Sequence, residues 1–496
     1  MTTDISAHAP LVVVGIVCVV TWMISAHGLS FSRSTSDFYV ASRRVSPWLN
    51  ASAIAGEYLS AASFLGVAGL IVANGTHGLW FPVGYTAGFL TLLVFVAAPL
   101  RRSGAYTIPD FVHLRFRSEQ LRRLTAMIVV LTGWLYIVPQ LHGASLAMSA
   151  VSQIPGWVGP VLVVAVVLPT VLSGGMRSVT IAQAVQYWLK FTALLVPTIF
   201  IVLHFGALDS VDLPDFSAVW SAGVGLDGGP GLYRTVSLVF ALMLGTLGLS
   251  HVLVRFYTNP DGTTARRTTL RLLGLLPLFY ILPVILGVIA RAVSPDGVTG
   301  RASDIAILDL PSTIFSGVLG DLLTALVAGG AFAAFLSTAS GLVVSISGVV
   351  SQEFFRGTVG GFRIGALIAV AVPLLIGTVT SELALAGAVA MVFTFTASSL
   401  APVVLLGIWW RGITVVGAMT GMICGALLSL AALVLGLGMD DAAPGALLLT
   451  YPAVWCIPAA FLITVLVSRW GPGTPPKSTD AVLALLHIPP VRRKTS

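Results

Sequence analysis

The chain has 496 residues, of which 56% are hydrophobic and only 9% charged, with mean hydropathy +0.97. Soluble domains carry roughly 25% charged residues, so a water-soluble globular protein is excluded and a membrane-embedded one expected. Net charge is +7, but the basic residues sit in short loops between apolar runs. They read as topology determinants rather than a nucleic-acid surface.

The uninterrupted apolar runs approach or exceed ~18 residues and lack period-2 alternation, which selects helices over a β-barrel. Taken in order, the runs are 10–28, 47–74, 79–100, 124–151, 159–174, 180–206 and 232–254. They continue at 272–291, 321–349, 362–380, 383–409, 413–437 and 447–468. An all-α integral membrane protein of about 13 transmembrane helices is expected, forming one polytopic domain over 1–468. The first run has no basic residue ahead of it, so it is read as a retained span rather than a signal peptide. Cys18, Cys424 and Cys456 lie inside apolar runs as small core residues. Residues 469–496 read as a disordered cytoplasmic tail with a basic anchor at Arg492, Arg493 and Lys494.

Lys and Arg set the orientation. With the N-terminus outside, Arg33, Arg43 and Arg44, the group from Arg101 to Arg123, and the group Arg255, Arg266, Arg267 and Arg271 all become cytoplasmic. Only Arg234, Arg291 and Arg301 land outside, beside Asp209, Asp212, Asp215, Asp227, Asp296, Asp304 and Asp309. The asymmetry predicts a multi-pass protein of the cell or inner membrane, N-terminus outside and C-terminus cytoplasmic.

Two spans are the wrong material for quiet membrane crossings. The second holds Gly56-Glu57-Tyr58 at mid-depth, with Ser60 and Ser63 following; an ionisable group there is a functional-site hypothesis. The seventh reads ALMLGTLGLSHVLVRF, with Gly245, Thr246, Gly248, Ser250 and His251. The second could instead be an ordinary helix with one glutamate facing a polar neighbour, and the seventh a packing face of small residues. Their position favours another reading: five spans apart and entering from opposite sides, they match the paired broken helices of an inverted-repeat transporter. The repeats fall at about 47–206 and 232–409, with 10–28, 413–437 and 447–468 peripheral. In the ninth span Ala334, Ser337, Thr338 and Gly341 share one face. Their hydroxyls read equally as neutral cation ligands or as a helix seam bonded back to its own backbone. Tyr136 and Gln140 flank Pro139 on a face that could line a cavity, and Lys190 reads as a snorkelling side chain.

The stretches GEYLSAASFLG (56–66), YTIPDF (106–111), LSGGM (172–176), GTLGLSHVLVRFYT (245–258) and AAFLSTASGLVVS (333–345) resemble the sodium:solute symporter family. Within it they resemble the acetate, or short monocarboxylate, permease branch. The resemblance implies a leucine-transporter-type five-plus-five inverted repeat, alternating access, and a coupling ion, sodium or else a proton, with no other cofactor. It implies a sodium site made by the carbonyls of Gly56, Leu59 and Ala334 and the hydroxyls of Ser337 and Thr338. The implied substrate is a short monocarboxylate such as acetate, propionate or pyruvate. Candidate contacts are Glu57, Tyr58, Tyr136, Gln140, Thr246 and Ser250. The branch usually has Gly-Asp-Tyr where this chain has Gly56-Glu57-Tyr58, which leaves the carboxylate free to touch the cation, pair with another helix or take up a proton.

Rival readings are a same-fold symporter for proline, a sugar or pantothenate, and a membrane sensor, against which stands the lack of a kinase-sized polar segment. An enzyme is not expected, since HExxH, GxSxG and Cys/His clusters are missing. The partners expected are a small carboxylate and the lipid bilayer, and the oligomeric state is left open.

Overall fold

The computed structural model describes residues 8–28, 45–152, 154–207, 225–226, 229–293, 300–377, 384–436, 439 and 445–488. Arg33, Arg43, Arg44, the acidic residues of 208–224 and the basic tail residues 492–494 lie outside these, as do Asp227 and Asp296. The described residues are helical, with no β-strand among them. Among the described residues, eleven helical stretches are long and apolar enough to cross a membrane. Two of these stretches are double, 62–95 being interrupted by a 3-10 turn at Gly75–Leu79 and 158–206 by the non-helical Gly175, φ 54° and ψ −149°. Divided there, they give the thirteen spans expected.

The first helix, α1 (Ala9–Gly28), packs against the helices at Val158–Ala207 and Val318–Phe354. The first repeat begins with a broken span: α2 (Pro47–Tyr58), a non-helical step at Leu59–Ser60, a π turn (Ala62–Gly66) and α3 (Val67–Asn74). It continues through α4 (Trp80–Phe95), α5 (Ala97–Arg102), α6 (Ile108–Phe116), α7 (Glu119–Val151) and α8 (Val158–Ala207). The second begins with α9 (Gly229–Gly245), a 3-10 turn (Thr246–Gly248) and α10 (Ser250–Tyr257), then α11 (Gly262–Val293), α12 (Arg301–Ile314) and α13 (Val318–Phe354). It closes with α14 (Val359–Gly377) and α15 (Leu385–Trp409). The peripheral helices α16 (Val415–Gly436), α17 (Ala446–Thr450), α18 (Ala453–Trp470) and α19 (Thr479–His487) follow.

The backbone explains the interruptions. Leu59 sits at φ −74°, ψ 83° and Leu249 at φ −74°, ψ 100°, so each helix stops mid-depth and restarts. Such freed backbone groups are tolerated in a membrane only inside protein, and both breaks are fully buried. The break lies three residues beyond Gly56, inside α2. There a Cβ would come within 2.1 Å of the Gln183 carbonyl oxygen; this glycine permits close approach to α8 rather than unwinding.

One expectation is overturned at the C-terminus. The tail is ordered through α19, which docks on α5 and α6. Buried Arg115 donates to Thr479 Oγ1 (3.0 Å), Gly407 O (2.9 Å) and Trp410 O (3.2 Å), and Arg102 donates to Leu486 O (2.8 Å). The apolar residues Val482, Leu483 and Leu486 are buried, which repays ordering a segment that composition alone marks as a linker.

Candidate functional site

The first broken span, α8 and α13 meet at mid-depth. On α8, Gln183 and Lys190 lie seven residues apart and so share a face. Lys190 is fully buried in the helix's second half, contrary to the snorkelling expectation. Its ammonium donates to Gly56 O (2.5 Å), Leu59 O (2.8 Å) and Ser337 Oγ (3.0 Å). An ammonium has three N–H donors and no acceptor, so all three are used. Ser337 Oγ donates onward to Ala334 O (3.0 Å), Thr338 Oγ1 donates to Glu57 O (2.6 Å), and Gln183 Nε2 donates to Ser337 O (2.8 Å). The five residues that the resemblance proposes around a cation are therefore neighbours, and the point on which three of their oxygens converge is the Lys190 nitrogen.

Beside this cage is a buried ion pair. Glu57 Oε2 lies 2.7 Å from Arg255 Nε, the two side chains being 1% and 0% exposed. Arg255 also donates to Thr180 Oγ1 (2.6 Å) and to Gln183 Oε1, while its carbonyl accepts from Asn50 Nδ2 (3.1 Å). Arg255 is thus not a loop charge marking topology, and Glu57 is a clasp between the two broken spans rather than a free substrate contact. Its second oxygen faces Gly341, where a Cβ would approach to 1.9 Å. Arg255 and Lys190 escape sequence reading because positive charge near a span's end is ordinary. The Thr180–Gln183–Lys190 polar face of α8 is the signal that could have marked them.

The remaining candidates divide. Tyr58 and Thr246 bond to one another across the two breaks (2.9 Å). Ser250 bonds to Ser345 (2.9 Å) at the edge of a narrow cleft also lined by Tyr106, Thr107 and Met176. Gln140, expected as a substrate donor, instead accepts from the Ala61 amide (3.0 Å) and donates weakly to Tyr136 O (3.4 Å), bracing the first break. Around Phe393 lie Tyr85 (ring centroids 5.1 Å) and Tyr136 (5.9 Å), and Tyr136 stands 5.4 Å from His251. The hydroxyls of Tyr85 and Ser60 lie within hydrogen-bonding reach of the Tyr136 hydroxyl, and both ring nitrogens of His251 are buried without a hydrogen-bond partner among the described residues. Buried polar groups are normally paired, so this cluster is prepared for something else. Tyr85 and His251 were not among the expected contacts.

Paired broken helices around a buried polar centre are the arrangement of secondary transporters. By fold the chain is similar to a Na+-coupled sialic acid symporter in its substrate-bound outward-open state (TM-score 0.73, 14% identity, 94% of this chain and 98% of the other). It is also similar to Mhp1, a nucleobase-cation-symport-1 family transporter in a closed conformation with bromovinylhydantoin bound (TM-score 0.52, 15% identity, 90% and 98% covered). The sodium:solute symporter family matches residues 38–425. The chain belongs to that family, and membership implies sodium as coupling ion. Among curated relatives, the uncharacterized symporter YwcA of Bacillus subtilis (strain 168) is 29% identical over 476 residues, 91% of each chain.

Proposed function

We propose that the chain imports a short monocarboxylate anion together with a cation, sodium or a proton, by alternating access, with its N-terminus outside. The observation that carries this reading is the buried polar cluster of Ser60, Tyr85, Tyr136 and His251 beside the two breaks, with both His251 ring nitrogens unpartnered among the described residues. A carboxylate accepts hydrogen bonds and donates none, so clustered hydroxyls and an imidazole N–H without an acceptor are its natural complement. The first turn of α10 has no side-chain cap, so its amides and helix dipole add to the attraction for a negative group. The aromatic side chains beside the cluster, Tyr58, Phe89 and Phe393, are in edge contact, an apolar surround that suits a small organic group.

The entrance agrees in sign. A second cavity, on the side expected to face outward, is lined by His77 and Arg234, with Asn74, Phe81 and Tyr451 around them. Arg234 is the fixed positive charge on the path of an arriving anion, held over the Tyr451 ring at 5.7 Å.

A one-to-one cycle of cation and anion moves no net charge. A membrane potential, worth roughly 2.3 kcal/mol per charge per 100 mV, then contributes nothing and the chemical gradients drive uptake. The test is radiolabelled acetate uptake into proteoliposomes, with propionate, pyruvate, proline and glucose as competitors, each with and without an inward sodium gradient. Competition by the monocarboxylates alone supports the reading; inhibition by proline or glucose alone would overturn it.

A further inference from the structure

The cation site that family membership implies does not fit a sodium ion in this chain. We propose that the ammonium of Lys190 is itself the resident cation: a tethered charge that takes the place of sodium at the carbonyls of Gly56 and Leu59 and the Ser337 hydroxyl.

Three observations carry this. The first is position: Nζ lies within 3.0 Å of these three oxygens, and an ion coordinated by them would stand where the nitrogen stands. The second is occupancy of the rest of the set. Ala334 O accepts from Ser337 and Thr338 Oγ1 donates to Glu57 O, so both already have partners within the protein, as the other three oxygens have in the ammonium.

The third is charge. Glu57, the carboxylate beside the ammonium, is already held by Arg255 at 2.7 Å. With Lys190 protonated, the cluster of Lys190, Arg255 and Glu57 carries one net positive charge. A sodium ion would bring three cations around one carboxylate in a dry interior, where like charges repel far more strongly than in water. A bound monocarboxylate, by contrast, would bring the cluster to neutrality. This last point rests on the proposed substrate; the first three do not.

Sodium-22 binding to the purified full-length protein in detergent tests this without any transported substrate. The native protein is expected to show no saturable sodium binding, and its melting temperature to be the same in sodium chloride as in choline chloride, since a ligand that binds only the folded state raises it. Lys190→Ala removes the tethered charge and opens the cage, so it is expected to bind sodium at least about tenfold more tightly than the native chain. Saturable sodium binding by the native protein overturns the inference, and so does a sodium-dependent rise in its melting temperature. The melting comparison needs no variant and still decides if Lys190→Ala fails to fold. Failure of acetate uptake would remove the monocarboxylate reading and leave this result standing.

Discussion

Glu57 and Arg255 form a buried ion pair at 2.7 Å that joins the first broken span to the second. Each member sits within a few residues of its own helix break, so the pair fixes the distance between the two elements that flank the site. Removing one partner of a buried pair leaves an uncompensated charge, at a cost of roughly 3–5 kcal/mol, whereas replacing both with apolar groups is often neutral. Glu57→Gln and Arg255→Met are each expected to lower the melting temperature sharply. The double variant Glu57→Met with Arg255→Met is expected to melt above either single one. A double variant that melts at the sum of the two losses would show that the pair is not coupled.

Gly341 stands against that carboxylate. Its missing Cβ would lie 1.9 Å from Glu57 Oε1, and α13 is buried around it, so the carboxylate must move if the position is filled. Overpacking of this kind costs typically about 1–3 kcal/mol, and here it also displaces Glu57 from Arg255. Gly341→Ala should therefore resemble Glu57→Gln in both melting temperature and transport, while Gly360→Ala, with open space at its Cβ, should behave as the native chain. Native-like transport in Gly341→Ala would show that the contact tolerates relaxation.

The architecture was legible because its causes are local: apolar length sets the spans, and glycine with polar residues at mid-depth marks both interruptions. The cage on α13 was legible for a similar reason, since Ala334, Ser337 and Thr338 lie on one face by helical period alone. What occupies the cage was not. Lys190, Arg255 and Gln183 reach it across more than a hundred residues of sequence, and nothing in spacing distinguishes a lysine that snorkels from one that turns inward. The ordering of α19 was hidden for the same reason, because Arg115, which anchors it, reads as a loop charge.

Ser337 and Thr338 hold different parts of the cage. Ser337→Ala removes one of three acceptors from a buried ammonium, and Thr338→Ala leaves the Glu57 carbonyl without its donor. An unsatisfied buried group costs about 1–3 kcal/mol. Both variants are expected to reach the membrane at near-native levels and to transport much more slowly. Uptake measured against membrane abundance checks this, and native rates in both would separate the cage from the transport cycle.

Tyr136 and His251 carry the proposed recognition of the carboxylate. A hydrogen bond to a charged group is worth about 1.5–3 kcal/mol, so Tyr136→Phe is expected to weaken half-saturation for acetate by roughly tenfold or more. The Tyr136 hydroxyl also meets those of Ser60 and Tyr85, so its removal is expected to lower stability only modestly, by about 1 kcal/mol. A loss of stability with unchanged half-saturation would assign the hydroxyl a structural role instead.

Asp304 gives the fold a dependence on pH near neutrality. It lies on α12, outside the membrane-spanning stretches, accepting from the Leu385 amide at the start of α15 (2.8 Å). It also rests on Gly69 of α3, where a Cβ would come within 2.8 Å of its Oδ1. Burial raises its carboxyl from the usual 3.8 to about 7, against the opposing pull of the Leu385 amide and Arg301. The folded state therefore binds this proton more tightly than the unfolded chain. The stability it confers is complete below about pH 4 and is lost as pH rises through about 7. Ionisation then loosens α12 from α3 and α15, two elements that flank the first break and the aromatic wall. Amide exchange at Leu385, corrected for its intrinsic rate, should accelerate across about pH 6–8 in the native chain. In Asp304→Asn, whose side chain keeps an acceptor and cannot ionise, exchange should stay flat. A native chain as flat as Asp304→Asn would mean that water reaches the carboxylate without moving α12.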